Sequence, residues 1–306
     1  MIQFGKYSGI WPVAPTPFTE TGALDLDGMK RVLDCMVDQG VDGICILANF
    51  SEQFLLSDSE RDALTRLCLE HVGGRVPVIV TISHFATDIV VARANQAAAL
   101  GADMVMMMPP YHGALMRGTP DQIIGQFAAA NTAGITIMIQ DAPLSGVDLP
   151  VSLLVQMARE IEHVKCFKIE TAQASIKLRA LIEEGGDAIE GPFDGEEGIT
   201  LFADLDAGAR GSMTSALMPD LMRPAIVSHL EGDRAAAQSI YARLLPLINH
   251  ENRLCGFRAA KAVMKEGGVI ASDFCRHPIA PLHPAVRKML LEMASALDPI
   301  ALEWGL

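Results

Sequence analysis

Short β-branched or Met-rich runs alternate along most of the chain with longer stretches whose apolar residues recur at helical spacing. Short apolar runs bounded by Gly and Pro suit buried strands. They predict strands at 10–14, 44–47, 76–82, 104–108, 135–140, 164–168, 188–190 and 212–214. The longer stretches predict amphipathic helices at 26–39, 57–72, 88–100, 120–132, 150–161, 174–184, 197–207 and 217–230. Several helices run into a Gly-containing link, as at Gly40, Gly101, Gly185 and Gly208, where a C-cap feeds the next strand. A strand followed by a helix, repeated eight times, predicts an α/β fold of the (β/α)8 TIM-barrel class. An open doubly wound sheet would favour a GxGxxG after the first strand, and none is present. Beyond Gly232 only helical patterns remain, at 234–250, 256–265 and 283–297. The expected organisation is a catalytic barrel over 1–231 and a C-terminal helical bundle over 232–306, the latter serving stability and subunit contact.

Composition narrows the function. With 50% hydrophobic and 20% charged residues in 306, a sizeable core is expected and disorder is not. A net charge of -13 argues against nucleic acid as a partner, since phosphate binding needs a basic face. No apolar run reaches the roughly 18 residues of a membrane span, and residues 1–6 lack a signal-peptide core. A cytoplasmic protein without a membrane partner is therefore expected. The six cysteines contain no CxxC pair and read as buried thiols, neither a disulfide framework nor a metal site.

The candidate chemistry begins at Lys168, in the run Val164-Lys165-Cys166-Phe167-Lys168-Ile169-Glu170. A period of two puts Cys166, Lys168 and Glu170 on one face. If that face is the inside of a barrel, burial disfavours the charged form of a lysine and favours the neutral amine that attacks a carbonyl. An ordinary charged residue near a strand end is the bland alternative. In a TIM barrel the active site lies at the C-terminal strand ends. Those ends carry Asn49, Phe50, Ser51 and Glu52, then Ser83 and His84, Tyr111 and His112, Gln140 and Asp141, Lys168 and Glu170, the segment 190–197, and Met213 with Thr214 and Ser215.

Taken in order, these residues resemble the dihydrodipicolinate synthase and N-acetylneuraminate lyase family of class I pyruvate-type aldolases and dehydratases. The likeness runs over nearly the whole chain, from Pro12-Val13-Ala14-Pro15-Thr16-Pro17-Phe18 through Pro110-Tyr111, Lys168 and Asp194-Gly195-Glu196-Glu197 to the closing Pro278-Ile279-Ala280-Pro281. It implies a Schiff base on Lys168 with no separate cofactor or metal, a proton-relaying Tyr111, and a homotetramer. It also implies substrate contacts from the strand-two loop, Gly195 and the Met213 strand end.

Two departures matter. The family's Gly-Thr-Thr-Gly-Glu loop is Ala48-Asn49-Phe50-Ser51-Glu52 here, leaving the Phe50 and Ser51 amides and the Ser51 hydroxyl to hold a carboxylate. The arginine that binds a distal carboxylate in the synthases is missing from Asp141-Ala142-Pro143-Leu144-Ser145-Gly146. Asn49, Ser83, His84, His112 and Gln140 instead suit a polyhydroxylated tail. Glu170 stands where the family pattern has a small residue, and could take the C3 proton of an iminium, or simply pair with Lys168. His84 and His112 read equally as satisfied polar side chains, and a metal site of the two with Glu170 lacks HxH or HxxxH spacing. The resemblance is greatest to the branch that dehydrates L-2-keto-3-deoxyarabonate to 2-oxoglutarate semialdehyde. Retro-aldol cleavage to pyruvate and an aldehyde is the alternative reaction. A non-catalytic keto-acid sensor would have no need of both Lys168 and Tyr111.

Overall fold

A computed structural model describes residues 6–112 and 116–306. The strands are β1 (Gly9–Ile10), β2 (Ile44–Ile46), β3 (Val78–Thr81), β4 (Met104–Met107), β5 (Thr136–Asp141), β6 (Val164–Ile169), β7 (Gly191–Asp194) and β8 (Gly211–Ser212). A separate two-stranded hairpin, Tyr111–His112 with Met116–Arg117, follows β4. The interleaved helices are α1 (Leu26–Asp38), α2 (Asp58–Val72), α3 (Thr87–Ala99), α4 (Pro120–Asn131), α5 (Val151–Glu160), α6 (Ala174–Gly185), α7 (Leu201–Asp206) and α8 (Pro219–Leu230). Three more follow: α9 (Arg234–His250), α10 (Arg258–Glu266) and α11 (Pro284–Leu297).

The described residues form two compact units, 6–9 with Ile79–Met213, and Ile10–Val78 with Thr214–Leu306. The second unit includes the segment 232–306, expected to form the C-terminal helical bundle.

In the first unit the strands pair in parallel in the order β3, β4, β5, β6, β7, β8. Gln140 stands beside Lys168, and Lys168 beside Phe193. The strands are buried on both faces, as parallel sheets covered by helices require. Fully buried Phe127, Phe167 and Phe193 each stabilise this unit by about 1.5–3 kcal/mol relative to exposure. Thr119 and Gln122 form a capping box that starts α4, with Pro120 at the first helical position.

In the second unit β2 sits in a parallel ladder with the segments beside it. Ile44 N donates to Pro77 O at 2.9 Å, Cys45 N to Pro12 O at 2.9 Å, and Val13 N to Thr214 O at 2.7 Å. Ser57 and Glu60 cap α2 reciprocally. Helices α9 and α10 are joined by a π-helical turn, Glu251–Cys255, in the gap the apolar pattern left between 250 and 256.

Among the expected boundaries that move, those around β7 have a clear physical reason. Strand seven was expected at 188–190, but Gly186–Ala188 is a 3-10 turn and β7 begins at Gly191. Gly191-Pro192-Phe193 carries no β-branched residue, and its proline cannot donate to a ladder, so it does not read as a central strand. The helix expected over 197–207 begins only at Leu201, because Glu197 (φ 52°) and Gly198 (φ 82°) adopt left-handed backbone.

Candidate active site

Lys168 lies near the C-terminal end of β6 and is only 4% exposed. Its Nζ is 2.5 Å from Glu170 Oε1, and Gln140 Nε2 donates to the same oxygen at 2.9 Å. The three side chains converge because Gln140 and Lys168 are paired across β5 and β6, and Glu170 follows on the Lys168 face. A neutral amine is released only when the ammonium gives up a proton, and the nearest carboxylate oxygen is placed to receive it. Glu170 is thus the ion-pair partner of Lys168, held in place by Gln140.

Gly195 is fitted against this pair. A Cβ on Gly195 would stand 2.6 Å from Glu170 Cγ and 2.7 Å from Lys168 Cγ, closer than carbon atoms approach. Only glycine leaves the two stems their place. Met213, fully buried after β8, donates its amide to Asp194 O at 2.9 Å and so joins the ends of β7 and β8.

Ser83 and His84 are occupied locally. The Ser83 hydroxyl accepts from Met108 N at 3.0 Å, tying the end of β3 to β4. His84 Nδ1 accepts from Ala86 N at 2.9 Å, and its ring stacks on Phe85 with centroids 4.3 Å apart. Tyr111 and His112 enter as backbone of the hairpin, with Tyr111 opposite Arg117 and His112 opposite Met116. Their side chains lie outside the described residues.

Asn49, Phe50 and Ser51 belong to the second unit. They form a 3-10 turn, followed by Glu52 in left-handed backbone (φ 58°). The Ser51 hydroxyl donates to Ala14 O at 2.7 Å and accepts from Ala48 N at 3.1 Å, while its amide donates to Ala48 O at 2.9 Å. The Ser51 hydroxyl and amide, two of the three donors expected to hold a carboxylate, bond within the loop and to Ala14. Asn49 Oδ1 accepts from Gln53 Nε2 at 2.6 Å, and Phe50 meets Phe257 edge-on at 6.2 Å.

Four charged arrangements escaped the sequence reading. Asp141, beside Gln140, pairs with Lys177 of α6 at 2.6 Å; burial pushes its carboxyl up and Lys177 partly offsets that. In the second unit, fully buried Lys261 ion-pairs with Glu52, donates to Phe274 O at 2.8 Å and lies 4.5 Å from the Phe18 ring centre. Arg276 covers the same ring at 4.3 Å and ion-pairs with Glu60, whose carboxyl it holds down at about 2. Asp194 and Asp204, both fully buried, meet side by side in the first unit. Lys261 reads in sequence as one more polar position of an amphipathic helix, so no spacing signal marks it as buried.

A parallel strand and helix series with a buried lysine and carboxylate at the C-terminal end of β6 puts these groups where the active sites of TIM barrels lie. The comparisons agree. The Dihydrodipicolinate synthetase family model matches residues 6–297, and the chain belongs to that family. It is 57% identical over 301 residues to L-2-keto-3-deoxyarabonate dehydratase of Azospirillum brasilense, covering 98% of this chain and 97% of the relative. It is 31% identical to 4-hydroxy-tetrahydrodipicolinate synthase of Xanthomonas axonopodis pv. citri, covering 97% and 96% of the two chains. A crystal structure from Pseudomonas aeruginosa, described as a candidate dihydrodipicolinate synthetase, superposes with a TM-score of 0.90 at 28% identity, over 96% of this chain and 100% of that one. The fold is therefore a TIM barrel with a C-terminal helical part, as expected from the strand and helix repeats.

Proposed function

We propose that this chain is a Schiff-base-forming hydro-lyase that converts L-2-keto-3-deoxyarabonate to 2-oxoglutarate semialdehyde. The observation that carries the chemistry is the buried Lys168 with the Glu170 carboxylate at 2.5 Å and Gln140 fixing that carboxylate. The substrate follows from the 57% identity to the Azospirillum brasilense dehydratase, together with the missing arginine after β5.

The amine of Lys168 adds to the C2 carbonyl and water leaves, giving an iminium. That cation draws electron density from C3, so Glu170 removes a C3 proton and an enamine forms. The enamine expels the C4 hydroxyl, which departs as water after protonation, and a C3–C4 double bond remains conjugated to the iminium. Loss of a C5 proton gives a conjugated enamine-enol; protonation at C4 with loss of the C5 hydroxyl proton makes the aldehyde, and protonation at C3 restores the iminium. Water then releases the product and restores Lys168. Overall one water is lost, and no oxidant or reductant is required. No separate cofactor or metal is proposed, because the iminium is itself the electron sink.

Tyr111 is proposed to relay protons to and from the carbinolamine, on the strength of the family pattern Pro110-Tyr111. We also propose a cytoplasmic homotetramer. No helix among the described residues is long and apolar enough to cross a membrane, and all six cysteines are free. Light scattering that returns a monomer would remove the tetramer without touching the chemistry.

The direct test supplies L-2-keto-3-deoxyarabonate and couples the product to a 2-oxoglutarate-semialdehyde dehydrogenase, with free pyruvate assayed in parallel. Coupled reduction without pyruvate, abolished by Lys168→Ala, is the expected result. Pyruvate with glycolaldehyde would make the enzyme an aldolase instead.

A further inference from the structure

Strand β7 ends at Asp194, and the next residue is the Gly195 that packs against Lys168 and Glu170. Asp194 pairs with Ile169 across the sheet, so its side chain points away from the Lys168 face, toward α7. There it meets Asp204 of α7, and both carboxyls are fully buried. Each has one oxygen already served by a hydroxyl. Ser212 donates to Asp194 Oδ2, and Thr200 donates to Asp204 Oδ2 at 2.6 Å. The remaining Oδ1 atoms are buried without a conventional donor among the described residues. Two neighbouring buried carboxyls, each with an orphaned oxygen, are relieved by a single shared proton, whereas two adjacent buried carboxylates are strongly disfavoured.

We propose that Asp194 and Asp204 share one proton and that this bridge is a positioning device, clamping the end of β7 to α7 so that Gly195 stays seated against Lys168 and Glu170. The role in turnover rests on the lysine reading above; the bridge itself does not. Burial pushes both carboxyls up, with mutual repulsion adding to it at Asp194, and the hydroxyls of Ser212 and Thr200 act in the opposite sense. The charged groups around the pair are Glu197 from the β7–α7 connection, whose negative charge also favours retaining the proton, and Lys168 and Glu170 on the other face of the neighbouring strand. Their arrangement makes the bridge sensitive to alkaline conditions. Loss of the proton would leave two buried anions and loosen the clamp.

The substitutions D204N and D204L separate the bridge from simple filling of space. An asparagine amide donates to Asp194 permanently, whereas leucine leaves that carboxyl buried and unpaired. We expect D204L to lower kcat at least about tenfold with KM changed less than threefold, because misplacing a reacting group costs rate more than binding. The wild type is expected to show an alkaline fall in both kcat and Tm, and D204N to recover most of the D204L loss and to lack that fall. The wild type is expected to show the infrared band of a protonated carboxyl at neutral pH, and D204N to lose one group's intensity from it. An unchanged band in D204N, or D204N as impaired as D204L, would overturn the bridge. The infrared and thermal readouts involve no substrate, so they judge the bridge even if borohydride trapping with pyruvate shows that Lys168 forms no adduct. Should D204L fail to fold, the D204N spectra and pH profiles still decide.

Discussion

Replacing Glu170 by glutamine keeps its shape and removes its charge. The Gln140 Nε2 bond at 2.9 Å can persist to the new amide oxygen, whereas the Lys168 Nζ contact at 2.5 Å changes from an ion pair to a neutral hydrogen bond. Removing one partner of a buried pair costs about 3–5 kcal/mol, and the 15% exposure of the Glu170 side chain puts this case near 3 kcal/mol or below. A Tm decrease of roughly 5 °C is expected in a chain of this size. The catalytic effect is separate and larger in its consequences. A lysine without its carboxylate loses a partner for the charged form, so the neutral amine is no less available and Schiff-base formation should survive. Removal of the C3 proton then lacks its base, a loss of about 10²–10⁴-fold. The assay is therefore paired: borohydride trapping of pyruvate on Lys168, and coupled dehydration of L-2-keto-3-deoxyarabonate. E170Q should be trapped at close to the wild-type extent while its kcat falls at least about a hundredfold. A kcat within threefold of wild type would refute the reasoning and leave Glu170 a structural ion-pair partner only.

Other consequences are open to measurement. Gly195→Ala places a methyl group 2.6 Å from Glu170 Cγ and 2.7 Å from Lys168 Cγ, so activity should fall more than about tenfold with a lower Tm; a fully active alanine variant would show that the stems can move. Glu251 is buried in the π-helical turn and pushed up to about 7 by burial, with a Ser215 hydrogen bond opposing. A folded value raised above the unfolded one means its contribution is complete below about pH 4.5 and is lost as pH rises through 7. Thermal melts of E251Q should therefore lack a decline over that window that reaches up to about 3 kcal/mol in the wild type. Parallel melting curves for the two proteins would contradict this. Lys261→Met strands buried Glu52 and should cost about 3–5 kcal/mol in denaturant unfolding, with part regained on adding Glu52→Gln; equal instability of single and double variants would count against a coupled pair.

The repeating alternation of apolar runs carried the fold, because each buried parallel strand needs a continuous apolar segment and each covering helix an apolar stripe. It failed at β7, where Gly191-Pro192-Phe193 is a strand held by its neighbours rather than by its own propensity. Lys168 and Glu170 were legible since the period of two joins them on one face. Gln140 was visible only as a polar strand end; its bond to Glu170 depends on the β5–β6 register, which no local pattern specifies. Ser51 misled in detail, because a hydroxyl in a loop reads as free to bind whereas the folded loop spends it on Ala14 and Ala48. The Asp194–Asp204 contact joins a strand end to a helix interior and has no signature in either segment.

Borohydride reduction of the protein with pyruvate or L-2-keto-3-deoxyarabonate, followed by peptide mass spectrometry, tests the central assignment most directly. One reduced adduct per chain, on the peptide containing Lys168 and missing from Lys168→Ala, is the predicted result. No adduct, or an adduct on Lys177 or Lys261 in its place, would contradict the assignment.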